Sequence, residues 1–331
     1  MPDVKRQHYV PRTYLKNFSE QRGDNFFIKA LPKNSTAQEK IYEIAISNVC
    51  VQTDLYTLPG ETEEQRMLIE KFYSENYEKH YKDVYDILTN PNKKTITEEE
   101  RELIISTVVT MLYRTTKWIS QHNSFFDRIL ENAYNLAISK GFDYFMYEDQ
   151  KISFADKTLE QLQKEYKKEE RASQVITQLE VALNLIKWRL EKNTIMVVRI
   201  TDEAEYITSD NPVVYQNRKG KLVSPFDASN ILKLPLDSKH LLLLMPYGDE
   251  TNKLSITRSE RLDEASFQSK VVSNFLQFGN SERFILGTDK GLKTYLNDKK
   301  ETEREITPEE KIKFDKKDAE LDRKLKELGM L

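Results

Sequence analysis

The chain has 331 residues, of which 38% are hydrophobic and 32% charged, and its formal net charge is −3. This length is enough to bury a substantial core, and the low counts of Gly and Pro exclude a collagen-like or low-complexity disordered chain. A net charge near zero gives no global electrostatic reason to expect a nucleic-acid-binding protein, so any basic surface must be local.

The single cysteine, Cys50, excludes a disulfide or a thiolate zinc site within the chain, which is typical of the reducing cytoplasm. The longest apolar run, LLLLMP at 241–246, is far too short to span a bilayer. The sequence therefore predicts a cytoplasmic protein with no membrane partner.

The first sixty residues predict a short helix followed by strands. Pro11 suits the first position of a helix over residues 11–18, and Tyr14, Leu15 and Phe18 recur on one face of it. Polar residues then separate three β-like segments, NFFIKAL, KIYEIAI and TDLYTL.

Residues from about 61 to 192 have helical periodicity, interrupted by a predicted loop around 143–156. Thr97 and Glu100 form a capping box, and the helix that follows has an apolar stripe at Ile104, Val108, Met111, Thr115 and Ile119. The segment from Leu159 to Lys192 predicts one long helix or one broken helix.

Short β-rich segments return after residue 192, with one helical insertion, LDEASFQSKVVSNFLQFG. We therefore predict an α+β fold in which N-terminal strands join a C-terminal, mostly antiparallel sheet. Residues 1–290 are expected to form a single domain, and residues 291–331 a charged helical tail whose last helix begins at Thr307.

The stretch KRQHYVPRTYLKNFS, residues 5–19, surrounds His8 with four cations and contains no acidic residue. A helix that begins at Pro11 would point its free N–H groups back towards His8, which favours binding of an anion such as phosphate. The alternative is that the aromatic residues only pack this segment down, with His8 bonded to a carbonyl group.

The stretch YITSDNPVV, 206–214, places Asp210 at the end of an apolar strand. A strand end is a common position for a catalytic or metal-binding carboxylate. The alternative is an Asx-turn, in which Asp210 accepts hydrogen bonds only from nearby N–H groups. His240 at another strand end is expected to be structural. The sequence has no Walker, GxGxxG, GxSxG, HExxH or CxxC motif, which disfavours P-loop, Rossmann and α/β-hydrolase enzymes.

Together these motifs resemble a widespread bacterial family, catalogued as domain of unknown function 4238. The resemblance spans about residues 5–287 and is carried, in order, by HYVPRTYLKNF, DLYTL, DVYDIL, LYRTTKW, YITSDNPVV, LPLDSKHLLLLMP and SNFLQFGNSERFI. HYVP and TSDNP are its most specific parts. The chain departs from the family at Arg12, where glutamine is frequent.

The resemblance brings no established activity, but it selects polar residues whose shared presence is explained most simply by one polar pocket. The implied catalytic residues are His8, Glu78, Asp210 and Asn211. The implied ligand-binding residues are Tyr9, Arg114, Ser209, Asn274 and Arg283. Glu70 is the alternative to Glu78.

The first functional hypothesis is a phosphodiester or nucleotide hydrolase, nuclease-like and with a role in phage defence. Asp210 and Glu78 would hold Mg²⁺ or Mn²⁺, and His8 would transfer protons. The first alternative is a non-catalytic module that binds or senses an anionic, nucleotide-like ligand. The second is a protein-interaction scaffold that uses its charged C-terminal helix.

Overall fold

The computed structural model describes residues 6–147, 150–217, 226–246, 251–304 and 323. In these residues two five-stranded sheets and two two-stranded sheets accompany a large helical middle. The helices are α1 Arg12–Leu15, α2 Glu63–Arg66, α3 Leu68–Asn76, α4 Tyr81–Thr89, α5 Glu98–Tyr113, α6 Thr116–Ser139, α7 Leu159–Glu169, α8 Arg171–Lys192, α9 Asp263–Asn280 and α10 Asp289–Glu303. The strands are β1 Arg6–His8, β2 Glu20–Arg22, β3 Asn25–Pro32, β4 Tyr42–Ala45, β5 Val51–Thr53, β6 Tyr144–Tyr147, β7 Gln150–Ser153, β8 Thr194–Ile200, β9 Thr208–Ser209, β10 Val214–Gln216, β11 Ile231–Pro235, β12 His240–Met245, β13 Ile256–Arg261 and β14 Phe284–Gly287. The two-stranded sheets pair β1 with β5 and β6 with β7. The protein has the predicted α+β fold.

The first sheet has the strand order β10-β11-β12-β8-β13, and all its pairs are antiparallel except β8 with β13. Side chains alternate between the two faces of a strand, so Val197, Leu242 and Leu234 share one face. That face is buried in the main core, against the apolar residues of α5 and α8.

The second sheet has the order β2-β3-β14-β9, with β4 also paired to β3. Strand β14 places Leu286 opposite Ala30 of β3 and Ile285 opposite Ser209 of β9. The prediction that N-terminal strands join C-terminal ones in a mostly antiparallel sheet is therefore confirmed.

Helix α5 begins at the predicted capping box: Thr97 Oγ1 accepts from the Glu100 N–H, and the Glu100 carboxylate accepts from the Thr97 N–H. From Ile104 to Tyr113 every residue of the helix is buried. The predicted single stripe was therefore too narrow, because α5 is enclosed on all sides and ends before Thr115. The broken-helix alternative is also confirmed, with the break between α7 and α8 at Glu170.

Two local predictions were wrong. The predicted loop around 143–156 contains the hairpin of β6 and β7, in which Phe145 pairs with Ile152 across the two strands. The segment TDLYTL contributes only Thr53 to a strand, because Asp54 adopts a left-handed conformation with φ of 50° and turns the chain.

Helix α10 buries Leu292, Tyr295 and Leu296 against Leu31 and Ile285 of the second sheet. The residues just after the expected boundary at 290 therefore pack against the rest of the chain. The predicted tail helix from Thr307 lies outside the described residues. None of the helices in the described ranges has the length and apolar character needed to cross a bilayer.

Candidate functional site

His8 ends β1, where antiparallel pairing with β5 places it opposite Val51. Strand alternation directs the preceding residue, Gln7, inward, and its Oε1 accepts from the Tyr56 N–H at 2.6 Å. The imidazole of His8 is half-buried, with Nε2 3.2 Å from the Ile46 carbonyl oxygen. Because a carbonyl only accepts, Nε2 carries the hydrogen and Nδ1 is left as an acceptor. Burial lowers the pKa of His8 from 6.5, so the ring is neutral at pH 7.

Arg114 joins the end of β1 to Glu78. Its guanidinium is 2% exposed, and one terminal nitrogen lies 2.7 Å from both the His8 carbonyl oxygen and Glu78 Oε1. The guanidinium also lies 4.5 Å from the centre of the Tyr73 ring, a cation–π contact. Three residues selected from the sequence, His8, Glu78 and Arg114, are thus brought together.

Glu70 approaches the same arginine from α3. Burial raises the pKa of Glu70 to about 7, the nearby Glu78 adds to this rise, and Arg114 opposes it. Its Oε2 is buried and has no hydrogen-bond partner within the described chain. A carboxyl group that titrates near neutral pH is typical of a functional site, although structural ion-pair networks produce the same shift. Glu70 and Glu78 therefore both act on Arg114 rather than being alternatives.

A cleft of about 280 Å³ opens beside this group. We call it the His8 cleft because its lining includes Ile46, whose carbonyl accepts from His8, although His8 itself does not line it. It is lined by residues of α1, of the turn into β3, of the end of β4 and by Glu78: Arg12, Thr13, Lys16, Asp24, Asn25, Phe26, Ala45, Ile46, Ser47 and Glu78. Arg12 and Lys16 are exposed, and neither has an ion-pair partner among the described residues. The Lys16 ammonium lies 4.6 Å from the centre of the Phe26 ring.

The positive charges in the His8 cleft are those of the Arg12 and Lys16 side chains and do not come from a helix terminus. Helix α1 is a single turn of four residues, and the N–H groups of Tyr14 and Leu15 both donate to the Pro11 carbonyl. A turn this short gives little dipole for an anion. Arg12, set apart by its departure from the family pattern, lies on the cleft wall.

Asp210 lies in a different environment. It is fully buried, its Oδ1 accepts from the Glu282 N–H at 2.9 Å, and its Oδ2 accepts from the Arg283 and Phe284 N–H groups at 2.6 and 3.3 Å. Burial raises the pKa of Asp210, and these three N–H groups oppose the rise. The geometry is that of a carboxylate that caps the turn leading into β14.

The other residues of the TSDNP segment are held by α9. Ser209 Oγ donates to Gln277 Oε1 at 2.8 Å, and Asn280 Nδ2 donates to the Asn211 carbonyl at 2.6 Å. Asn274 accepts from the Ile207 N–H at 2.9 Å and donates to the Glu205 carbonyl at 3.0 Å. We call these contacts, together with those of Asp210, the α9 clamp.

Tyr9 separates the two groups of polar residues. It follows His8 directly in the sequence, but its ring is buried. Burial raises the pKa of its hydroxyl, and the charges of Asp210 and Arg283 also act on that hydroxyl. Arg283 itself is exposed, with its guanidinium 5.1 Å from the centre of the Phe284 ring. No hydrogen bond links His8 to Asp210 in the described part of the chain, and no cluster of three or more His, Cys, Asp or Glu side chains there could hold a metal ion.

Sequence reasoning missed two features of these groups. Tyr14 is buried, with its hydroxyl 2.6 Å from Thr208 Oγ1 and donating to the Pro235 carbonyl at 2.9 Å, which joins α1 to both sheets. The second feature is that Gln277 and Asn280 follow the predicted Asn274 at intervals of three residues on α9. That spacing places three amides on one helix face and could have been found from the sequence.

The family described as "Protein of unknown function (DUF4238)" matches residues 6–291, and the chain belongs to it. The resemblance inferred from the HYVP and TSDNP motifs is thereby confirmed. No curated protein and no solved structure matches the chain. Because the description of the family names no activity, function must be inferred from the site.

Proposed function

We propose that the protein binds an anionic, nucleotide-like ligand in the His8 cleft. The observation that carries this proposal is the pair of exposed cations, Arg12 and Lys16, which lack an ion-pair partner in the described ranges and line one cleft. Guanidinium and ammonium groups so placed are typical binders of phosphate oxygens.

The remaining lining favours a nucleotide over a bare phosphate. Asp24 and Glu78 add negative charge that would repel a small polyanion, but their oxygens suit the amino and hydroxyl donors of a base and a ribose. Phe26 gives the cleft one apolar wall, and an aromatic ring there suits a planar base. The ligand class is therefore one that carries both phosphate and hydrogen-bond donors.

Calorimetric titration with a panel of mono-, di-, tri- and cyclic nucleotides tests this proposal. We expect Arg12→Gln and Lys16→Gln each to weaken binding about tenfold, which is the loss of one charge-assisted hydrogen bond. Lys40→Gln, which removes an exposed charge outside the cleft, is the matched control. The proposal fails if no nucleotide binds, or if the two cleft variants bind with the affinity of the control.

Hydrolysis of a phosphodiester or nucleotide is the second candidate. The observation that favours it is the neutral imidazole of His8, which donates to the carbonyl of the cleft residue Ile46 and keeps Nδ1 as an acceptor. Such a group could accept a proton from an attacking water or hydroxyl. Glu70, with a pKa of about 7, is a further proton donor or acceptor beside Arg114.

Turnover of nucleotides, RNA and DNA should be measured with and without Mg²⁺ or Mn²⁺, beside His8→Gln. The glutamine amide can still donate to the Ile46 carbonyl, but it provides no base. We expect His8→Gln to keep ligand binding and to lose turnover. In the unaltered protein the rate should rise with pH through the pKa of His8, which lies below 6.5. Turnover that survives in His8→Gln would assign the proton transfer to another group.

A further inference from the structure

The first sheet has a second face, opposite the main core, that α9 covers only in part. Pairing registers place Lys233 of β11 opposite Leu243 of β12, and Leu243 opposite Met196 of β8, so the three side chains share this face. Next to this row, Leu241 is opposite Val198. The floor is therefore apolar across β12 and β8, with the charge of Lys233 at the β11 side.

A groove of about 430 Å³ lies between this floor and α9. The helix contributes Ala265, Gln268, Ser269, Val272 and Ser273, which recur at helical spacing and, apart from Gln268, are too small to fill the space. Val272 is 48% exposed, and Met196, Leu243 and Met245 are only partly buried. The groove is thus open to a ligand and lined by flexible thioethers, which adapt to apolar chains.

Lys233 is the unusual member of this surface. Its ammonium has no hydrogen-bond or ion-pair partner within the described ranges, and burial lowers its pKa. Arg261, which lines the groove on β13, also lacks a carboxylate partner in the described structure. Placing an unpaired ammonium in apolar surroundings costs free energy, and an anion that enters the groove would repay that cost.

We propose that this groove binds a fatty-acid-type ligand, with its carboxylate against the Lys233 ammonium and its alkyl chain along Met196 and Leu243 towards α9. An apolar floor flanked by Lys233 on β11 and Arg261 on β13 matches a molecule with an anionic head and an apolar chain, and the head is assigned to Lys233 because burial disfavours its charge. The floor from β11 to β13 crosses four strands and spans roughly 14 Å, which suits a medium or long alkyl chain rather than a short acid. This site is independent of the His8 cleft and goes beyond the function proposed for it.

The test compares decanoate, dodecanoate and hexadecanoate with butyrate, dodecanol and dodecyl phosphate by calorimetry or displacement of a fluorescent fatty acid. We expect the longer carboxylates to bind, and butyrate and dodecanol to bind about tenfold more weakly or not at all. Lys233→Met should reduce dodecanoate affinity about tenfold, to the level of dodecanol. Arg199→Gln removes a cation from the opposite face of β8 and should leave the affinity unchanged.

The melting temperature separates loss of binding from loss of fold. Without ligand, Lys233→Met should melt at or above the temperature of the unaltered protein, because an apolar chain of similar length replaces a desolvated ammonium. The proposal is overturned if Lys233→Met binds dodecanoate normally or if dodecanol binds as tightly as dodecanoate. Preference for dodecyl phosphate over every carboxylate, or binding of none of the probes, overturns it as well.

Discussion

The charge state of Glu70 gives the sharpest prediction. Burial holds the pKa of this carboxyl near 7 in the folded protein, whereas the ordinary value is 4.5. Between these two pH values the folded protein keeps a proton that the unfolded chain has lost. The free energy of unfolding therefore falls as pH rises from 4.5 to 7, and the full cost remains above pH 7.

Replacement of Glu70 by glutamine removes this cost, because the amide keeps a similar shape and carries no charge. At about 1.4 kcal/mol per pKa unit, the shift from 4.5 to about 7 sets an upper limit of about 3.5 kcal/mol. Partial exposure of the side chain reduces this value, so we expect Glu70→Gln to gain roughly 2 kcal/mol above pH 7 and almost nothing at pH 4.5.

Urea unfolding at intervals between pH 4.5 and 8 measures the effect directly, provided that the slope of the free energy against urea is unchanged. Glu75→Gln removes an exposed carboxylate from the same helix and controls for the loss of a charge. A stability difference between Glu70→Gln and the unaltered protein that stays constant over this pH range would refute the reasoning. So would destabilisation above pH 7, since it would mean that attraction to Arg114 outweighs desolvation.

Three further substitutions test the roles assigned above. Asp210→Asn leaves one acceptor oxygen for three N–H groups, so the free energy of unfolding should fall by about 1–3 kcal/mol. The folded variant should still bind nucleotide. Normal stability with lost binding would contradict the role of Asp210 as a cap. Arg114→Met leaves Glu78 and the His8 carbonyl unpaired and should lower the free energy of unfolding, measured with denaturant, by about 3–5 kcal/mol. Arg114→Lys should restore part of this stability. A loss under about 1 kcal/mol would show that the buried pair contributes little. Thr97→Ala removes the cap of α5 and should lower the free energy of unfolding by about 1 kcal/mol, which a lower melting temperature would show. An unchanged melting temperature would mean that tertiary packing alone fixes the start of the helix.

Features that depend on neighbouring residues could be predicted from the sequence. Thr97 and Glu100 are three residues apart, so their capping box is recognisable without knowledge of the fold. The union of N-terminal with C-terminal strands was also predicted, from β-rich segments on both sides of the helical middle, but not which strands pair, β3 with β14. The hairpin of β6 and β7 was missed because its short segments lie between long helical patterns.

The direction of each side chain at the site could not be predicted in this way. His8 and Tyr9 are adjacent, yet His8 is only half-buried, beside the cleft residue Ile46, whereas Tyr9 lies inside the core. The partners of Asp210 are backbone groups more than seventy residues further along the chain, with |i−j| of 72 to 74. Such contacts depend on register, and a shift of one residue reverses every side chain of a strand.

The position of β14 between β3 and β9 has a consequence for synthesis of the chain. The N-terminal strands leave the ribosome long before Phe284 is added to the chain. The edge of β3 that pairs with β14 in the folded protein therefore stays unpaired while the whole helical middle is synthesised. Open strand edges pair readily with other chains, and closing so long a loop is slow. We therefore expect the nascent protein to need protection by chaperones until its last third emerges, and fragments that end before residue 284 to aggregate.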